Sequence, residues 1–409
     1  MASHAPFRPE TRTPVPDADR RPDLGAGRTE PVPPAVPVPS LRTVRSVRHL
    51  GPQWYASVMG TAVVATAGAA LPLPTPGLRT AAGLVWALSL LMLTVLVAAR
   101  AVHHVRHRDQ ARAHLLDPAT APFHGCAAMA LLSVGGGALS VGRDWIGLPA
   151  AVALDAVLFS AGTLLGLVTA VAVPYLMVVH HRIEGASPAW LLPVVPPMVS
   201  AAQGPLLLPH LPAGQARETL LLGCYALFGV SLYATLLVLP LVFGRLVTGG
   251  PPPSPLTPSL FLVLGPLGQS VTAAGHFADT AGGVLPAAYA HGFTAFAVLY
   301  GVPVMGFALL WLALAGALVV RARRRGMGFA LSWWAFTFPV GTCVTGAEAL
   351  ARHTGLAGVR WVAAGLYALL VAAWLVAAVR TAGGLVSGVL LAGPGTAPGA
   401  LRPGTARTR

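Results

Sequence analysis

From Trp54 almost to its C-terminal end the chain is a succession of apolar runs, broken at short intervals by Arg, Pro or Gly. A hydrocarbon core about 30 Å thick takes roughly 20 apolar residues to cross as a helix, and runs of that order recur along nearly the whole sequence. Only 10% of the 409 residues are charged and 55% are hydrophobic, whereas soluble domains carry about a quarter of their residues as charges. Such a chain cannot cover itself with a polar surface. Inside hydrocarbon a backbone must satisfy its own hydrogen bonds, so runs of this length imply an all-α integral membrane protein.

Hydropathy and breakers predict ten spans, near residues 53–71, 79–101, 122–142, 149–179, 188–211, 217–246, 258–279, 290–320, 329–351 and 356–380. The charges test that count. Every basic side chain apart from histidine is Arg, and with both termini cytoplasmic all but five of the 27 (Arg79, Arg143, Arg217, Arg352 and Arg360) fall on the inner side. A bias of this kind follows the positive-inside rule and favours an even number of spans. The net charge of +14 therefore marks topology rather than a nucleic-acid groove. Residues 1–50 are rich in Pro and Arg and lack an apolar signal-peptide core, so they read as a disordered cytoplasmic tail. Residues 51–385 form the membrane domain, and residues 386–409 a second cytoplasmic tail.

Four of the odd-numbered spans carry similar mid-depth strings: Val58 to Ala65, Pro197 to Gly204, Pro266 to Ala273 and Pro339 to Gly346; the third span offers Leu131 to Ala138. Pro and small or hydroxylated residues recur there, while even spans such as Leu84 to Ala99 read as Leu, Val and Ala. Pro leaves a carbonyl that lipid cannot satisfy, so a repeated mid-membrane Pro fits helices shielded by protein or bordering a wet cavity. Odd spans are thus expected to be kinked and to line a pore, with Gly60, Thr61, Gly136, Pro197, Ser200, Pro266, Gln269, Pro339 and Thr342 in its wall. Close helix packing is the other reading of small residues.

The string Phe329-Ala-Leu-Ser-Trp-Trp-Ala-Phe-Thr-Phe-Pro-Val-Gly-Thr342 resembles the ninth-helix signature of the tellurite-resistance/dicarboxylate transporter family. That family includes the plant guard-cell slow anion channels. Trp54 to Thr61 and Pro188 to Ser200 fit the same family, so the resemblance covers all ten spans. It implies ten helices in five hairpins with quasi-fivefold symmetry, odd helices around a central pore, and a homotrimer in the plasma membrane. It also implies that Phe338 plugs the pore at mid-depth. The anions associated with the family are C4-dicarboxylates such as malate, tellurite, sulfite, nitrate and chloride, and no residue here chooses among them.

Intramembrane ionisable groups are functional suspects by default. Glu348, His276 and Asp279 fall at a similar outer depth and suit either a proton-linked vestibule or simple interfacial hydration; His210 and Asp155 are weaker candidates of the same kind. His103, His104 and His107 include a metal-like spacing, but Arg106, Arg108 and Arg112 surround them and would repel a cation. Cys126, Cys224 and Cys343 lie in apolar runs without paired spacing, so no disulfide or metal site is expected. The chain has no Lys and hence no ordinary Walker motif, and no catalytic trio falls in register. No cofactor is required. The expected activity is passage of small anions through a bilayer, and it is not enzymatic. A proton-coupled carrier using Glu348 and its neighbours, and a sensor or scaffold without transport, are the alternatives.

Overall fold

The computed structural model describes residues 47–71, 76–180, 185–387 and 390. Apart from residues 47–50, the expected N-terminal tail lies outside these, as do almost all of the C-terminal tail and the inner-side Arg182. Residues 47–50 belong to the folded body: Leu50 is buried, its carbonyl accepts from Arg100 at 2.6 Å, and Arg48 pairs with Asp109 at 3.0 Å.

Among the described residues all regular structure is helical. The α-helices are α1 (Tyr55–Ala70), α2 (Leu78–Arg106), α3 (Arg108–Leu116), α4 (Gly125–Gly137), α5 (Arg143–Ile146), α6 (Leu148–Val179), α7 (Pro196–Gln203), α8 (Gln215–Gly249), α9 (Leu264–Ala281), α10 (Ala287–Arg324), α11 (Phe338–Thr354) and α12 (Ala357–Val386). Among the described residues seven helical segments are long and apolar enough to cross a membrane: Leu78–Arg106, Ala121–Ile146, Leu148–Val179, Gln215–Gly249, Ser254–Ala281, Ala287–Arg324 and Ala357–Val386. The expected first, fifth and ninth spans fall short of that measure. α1 has 16 residues, α11 has 17, and α7 has 8 before it tightens into a 3₁₀ stretch over Gly204–His210.

Proline explains the shortening. Five segments share one construction, a 3₁₀ stretch leading into an α-helix: Pro52–Trp54 before α1, Ala121–His124 before α4, Pro188–Leu191 before α7, Ser254–Val263 before α9 and Leu331–Phe336 before α11. Pro occupies one of the first two positions of four of these stretches. Pro197, Pro266 and Pro339 lie in the first turn of their α-helices, where an amide has no intrahelical partner in any case. They mark a change of helix type rather than the mid-helix kinks expected from the sequence. Interior prolines belong instead to α6, α8 and α10, as Pro174, Pro240 and Pro303, contrary to the expectation that even spans are unbroken.

Burial separates two classes of helix. Ala121–Ile146 and Ser254–Ala281 are 83% and 89% buried over their most apolar windows, whereas α2, α6, α8, α10 and α12 are only 22% to 33% buried. The exposed side chains of the second class, among them Leu91, Val171, Leu237, Leu299 and Val379, suit a hydrocarbon solvent. α1, α4, α7, α9 and α11 touch in that cyclic order, with α11 closing back on α1, and α2, α6, α8, α10 and α12 each back one of them in turn. α9 and α11 approach each other closely. A Cβ on Gly268 would stand 2.5 Å from the Cys343 nitrogen, so the absence of a side chain sets that spacing.

Candidate functional site

The five inner segments wall a cavity of about 460 Å³. α1 contributes Val63, Thr66 and Ala70; α4 and the π-helical turn after it, Ala138–Gly142, contribute Ser133 and Ser140; Gln203 ends α7. α9 contributes Gln269, Thr272, His276, Asp279 and Thr280, and α11 contributes Phe338, Thr345, Glu348 and Arg352. The spacings within α9 and α11 are those of one helical face, three or four residues apart or multiples of that. Each wall is thus a stripe of polar side chains on an otherwise packed helix.

Asp279 accepts from Arg352 at 3.3 Å and lies 3.1 Å from His353 Nε2, with the Asp279 and Arg352 side chains about two-fifths exposed. This is the open end of the cavity. His276 Nδ1 is 2.6 Å from the Ala202 carbonyl, which can only accept, so Nδ1 carries the proton and the bond ties α9 to α7. Thr272 and Thr345 share a hydroxyl hydrogen bond of 2.7 Å between α9 and α11. Glu348 is 1% exposed, and among the described residues neither of its carboxylate oxygens has a hydrogen-bond partner.

Phe338 forms the opposite end of the cavity. It is the first residue of α11 and only 3% exposed. Beyond it a second cavity of about 210 Å³ is lined by the N-terminal parts of the same five segments, with Met59, Phe123, Leu192, Leu262 and Ala335 in its wall. Met59 precedes Val63 of the larger cavity by four residues on α1, and Ala335 precedes Phe338 by three, so the two cavities follow one another along these segments. Among the described residues Phe338 enters no ring pair, whereas its neighbour Phe336 sits edge-on to Phe261 at 4.8 Å between ring centres.

Of the residues singled out from sequence, Gln269, His276, Asp279, Phe338 and Glu348 meet on the larger cavity. The other expected pore-wall residues are buried in packing contacts and do not line it, and His210 is exposed at the end of its 3₁₀ stretch. Thr61 accepts from Trp374 of α12 at 3.1 Å, Ser200 accepts from Thr163 of α6 at 2.9 Å, and Thr342 donates to the Leu264 carbonyl of α9 at 3.3 Å. Gly60 lies against Thr337 and Trp334, Gly136 against Gln203, and Pro197, Pro266 and Pro339 are enclosed in the first turns already described. Asp155 is fully buried beside Gly135 on the α4 side of α6, away from the cavity. The sequence reading missed Thr66, Ser133, Gln203, Thr272 and Thr345. It matched motifs by depth, whereas helical spacing from Gln269 and Glu348 leads directly to two of these.

Known proteins place this architecture. The family model of voltage-dependent anion channels, SLAC1, matches residues 49–382. The chain belongs to this family. An uncharacterised transporter of Methanocaldococcus jannaschii is 24% identical over 352 residues, which cover 85% of this chain and 96% of the relative. The sulfite efflux pump SSU1 of Trichophyton rubrum is 26% identical over 330 residues, 75% of this chain and 83% of the pump. The SLAC1 family is one of anion channels and transporters, not of enzymes, and the present chain is a multi-pass membrane protein of that kind.

Proposed function

We propose that this protein is a passive conduit for small anions, that the two cavities are the halves of its pathway, and that Phe338 is the gate between them. The observation that carries the reading is that both cavities are walled by the same five inner segments, one following the other, and that one nearly inaccessible aromatic ring ends the larger of them. An apolar constriction between two wetted spaces blocks ions because it does not hold water, and it opens when the ring moves. In the conducting form the chain crosses the plasma membrane ten times as five hairpins with quasi-fivefold symmetry. The three short inner segments complete their crossings with their 3₁₀ stretches. Both termini are cytoplasmic, which puts the smaller cavity at the arginine-rich side and the larger one outside. Three copies assemble, each with its own pathway.

Most polar side chains in the larger cavity's wall are neutral, and weak binding of this kind favours throughput over affinity. The substrate class is therefore small inorganic anions and short carboxylates, with sulfite foremost because the fungal relatives are named sulfite efflux pumps. Reconstitution into proteoliposomes tests the reading, with flux of sulfite, chloride, nitrate and malate followed in the wild type and in Phe338→Ala. The expected result is anion flux that rises about tenfold or more when the ring is removed. Unchanged or reduced flux in correctly folded Phe338→Ala contradicts the gate, and no flux of any anion in either protein contradicts the conduit.

A further inference from the structure

Glu348 is out of keeping with a pathway for anions. Its side chain is buried, it borders the larger cavity, and both its oxygens are without hydrogen-bond partners among the described residues. A carboxylate in such a place is costly unless it is neutralised or finds a ligand. The nearest cation along its own helix is Arg352, one turn away, and that guanidinium reaches Asp279.

The groups around Glu348 leave little else to answer its charge. α9 brings His276, fixed by its bond to Ala202, and Asp279, held by Arg352 and His353. α12 brings Tyr367, whose hydroxyl donates to the Val64 carbonyl at 3.4 Å. α1 offers Val63 and Thr66 to the cavity, and α10 presents Gly301 and Met305 to α11, none of them ionisable. Among the described residues lining the cavity, Glu348 is therefore the one buried acid.

We infer that Glu348 is a proton-operated selector in the wall of the larger cavity: protonated, it presents an O–H donor to a small anion, and ionised, it excludes one. The inference rests on the reading of the cavity as an anion pathway. In the protonated state Glu348 joins Gln269, Thr272 and Thr345 as a neutral polar lining. In the ionised state a fixed negative charge stands in the wall an anion has to pass, in surroundings that screen it poorly. Anion passage then rises as the pH on the cavity side falls, and the group that sets the pH dependence is a carboxyl rather than a histidine.

The test measures chloride flux in proteoliposomes for the wild type, Glu348→Gln, Phe338→Ala and the double variant, while the pH on the cavity side is varied from about 8 to about 5. Chloride keeps its charge throughout, so the substrate does not titrate. Phe338→Ala flux should rise about tenfold or more on acidification, whereas the double variant should conduct at the high level across the whole range. A double variant that keeps the pH dependence, or that conducts less than Phe338→Ala at every pH, overturns the selector. Infrared difference spectra of the intact wild type give an independent reading, because a protonated buried carboxyl has its own carbonyl stretch. The band should appear on acidification, shift when chloride is added, and be missing from Glu348→Gln. If Glu348→Gln fails to fold, a wild-type band that appears on acidification and shifts with chloride still supports the selector, and absence of such a band overturns it. If no variant conducts, the pathway reading fails, and the infrared spectra still decide whether Glu348 takes up a proton and senses an anion.

Discussion

The inner and outer helices of this protein obey different rules although both are apolar. The outer helices α2, α6, α8, α10 and α12 run for 29 to 38 residues and leave most of their surface exposed. Their composition suits lipid. The inner helices are shorter, begin as 3₁₀ stretches, and bury almost everything except one stripe that borders the cavities. Sequence hydrophobicity reports the first class well and the second poorly, because an inner helix spends its polar residues on a wall rather than on lipid. The lesson is that function sits where the span signal is weakest.

The sharpest way to break this contrast is to place the same substitution in each class. Gly268→Leu puts a side chain where α11 already lies, while a Cβ at Gly229 of α8 meets nothing within 4 Å. Gly268→Leu should destabilise the protein by about 3 kcal/mol or more, and Gly229→Leu by well under about 1 kcal/mol; thermal unfolding in detergent distinguishes them. Equal losses at the two sites would mean that the outer surface is as closely packed as the inner one.

A smaller effect should separate two arginines of the same face. Arg352 stands at the cavity mouth beside Asp279, and Arg360 is exposed on α12. Arg352→Gln should lower anion flux about two- to fivefold at low ionic strength, and less as salt screens the mouth. Arg360→Gln should leave flux unchanged. A loss that is equal in the two variants would place the entrance elsewhere.

The smallest effect concerns α3, which lies on the arginine-rich face outside the apolar core. His114 stacks on His103 at 5.4 Å, and burial, with Arg100 and His103 adding to it, lowers its pKa from 6.5 to about 4. Above 6.5 the ring is neutral whether α3 is docked or free. Between 6.5 and about 4 only the free ring takes up a proton, so docking weakens as pH falls through that window. Hydrogen exchange in α3, corrected for the intrinsic pH effect, should quicken on acidification in the wild type and do so less in His114→Gln.

Much of the fold is legible in the sequence because the arginines and the lengths of the apolar runs are set by the bilayer. The outer helices follow from that alone. The inner segments are legible only as an irregularity, a recurrence of Pro with small and hydroxylated residues, whose meaning is local. Pro197, Pro266 and Pro339 fix where a 3₁₀ stretch becomes an α-helix, and Thr61, Ser200 and Thr342 spend their hydroxyls on neighbouring helices. The cavity wall follows helical phase, which depth-matched motifs do not encode. Gln269, His276 and Glu348 stand out because polar groups in an apolar run are costly, whereas Thr66 and Ser133 resemble any other small residue until the helices are assembled.

The central claim is that the two cavities are halves of one pathway divided at Phe338. With Cys126, Cys224 and Cys343 replaced by Ala, single cysteines at Thr345 and at Ala335 place a reporter in each half. A membrane-impermeant thiol reagent should reach the Thr345 position only from the outer side and the Ala335 position only from the arginine-rich side. With Phe338→Ala added, each position should react from both sides. Cysteines that react from the same side, or sidedness that survives removal of the ring, would contradict the account.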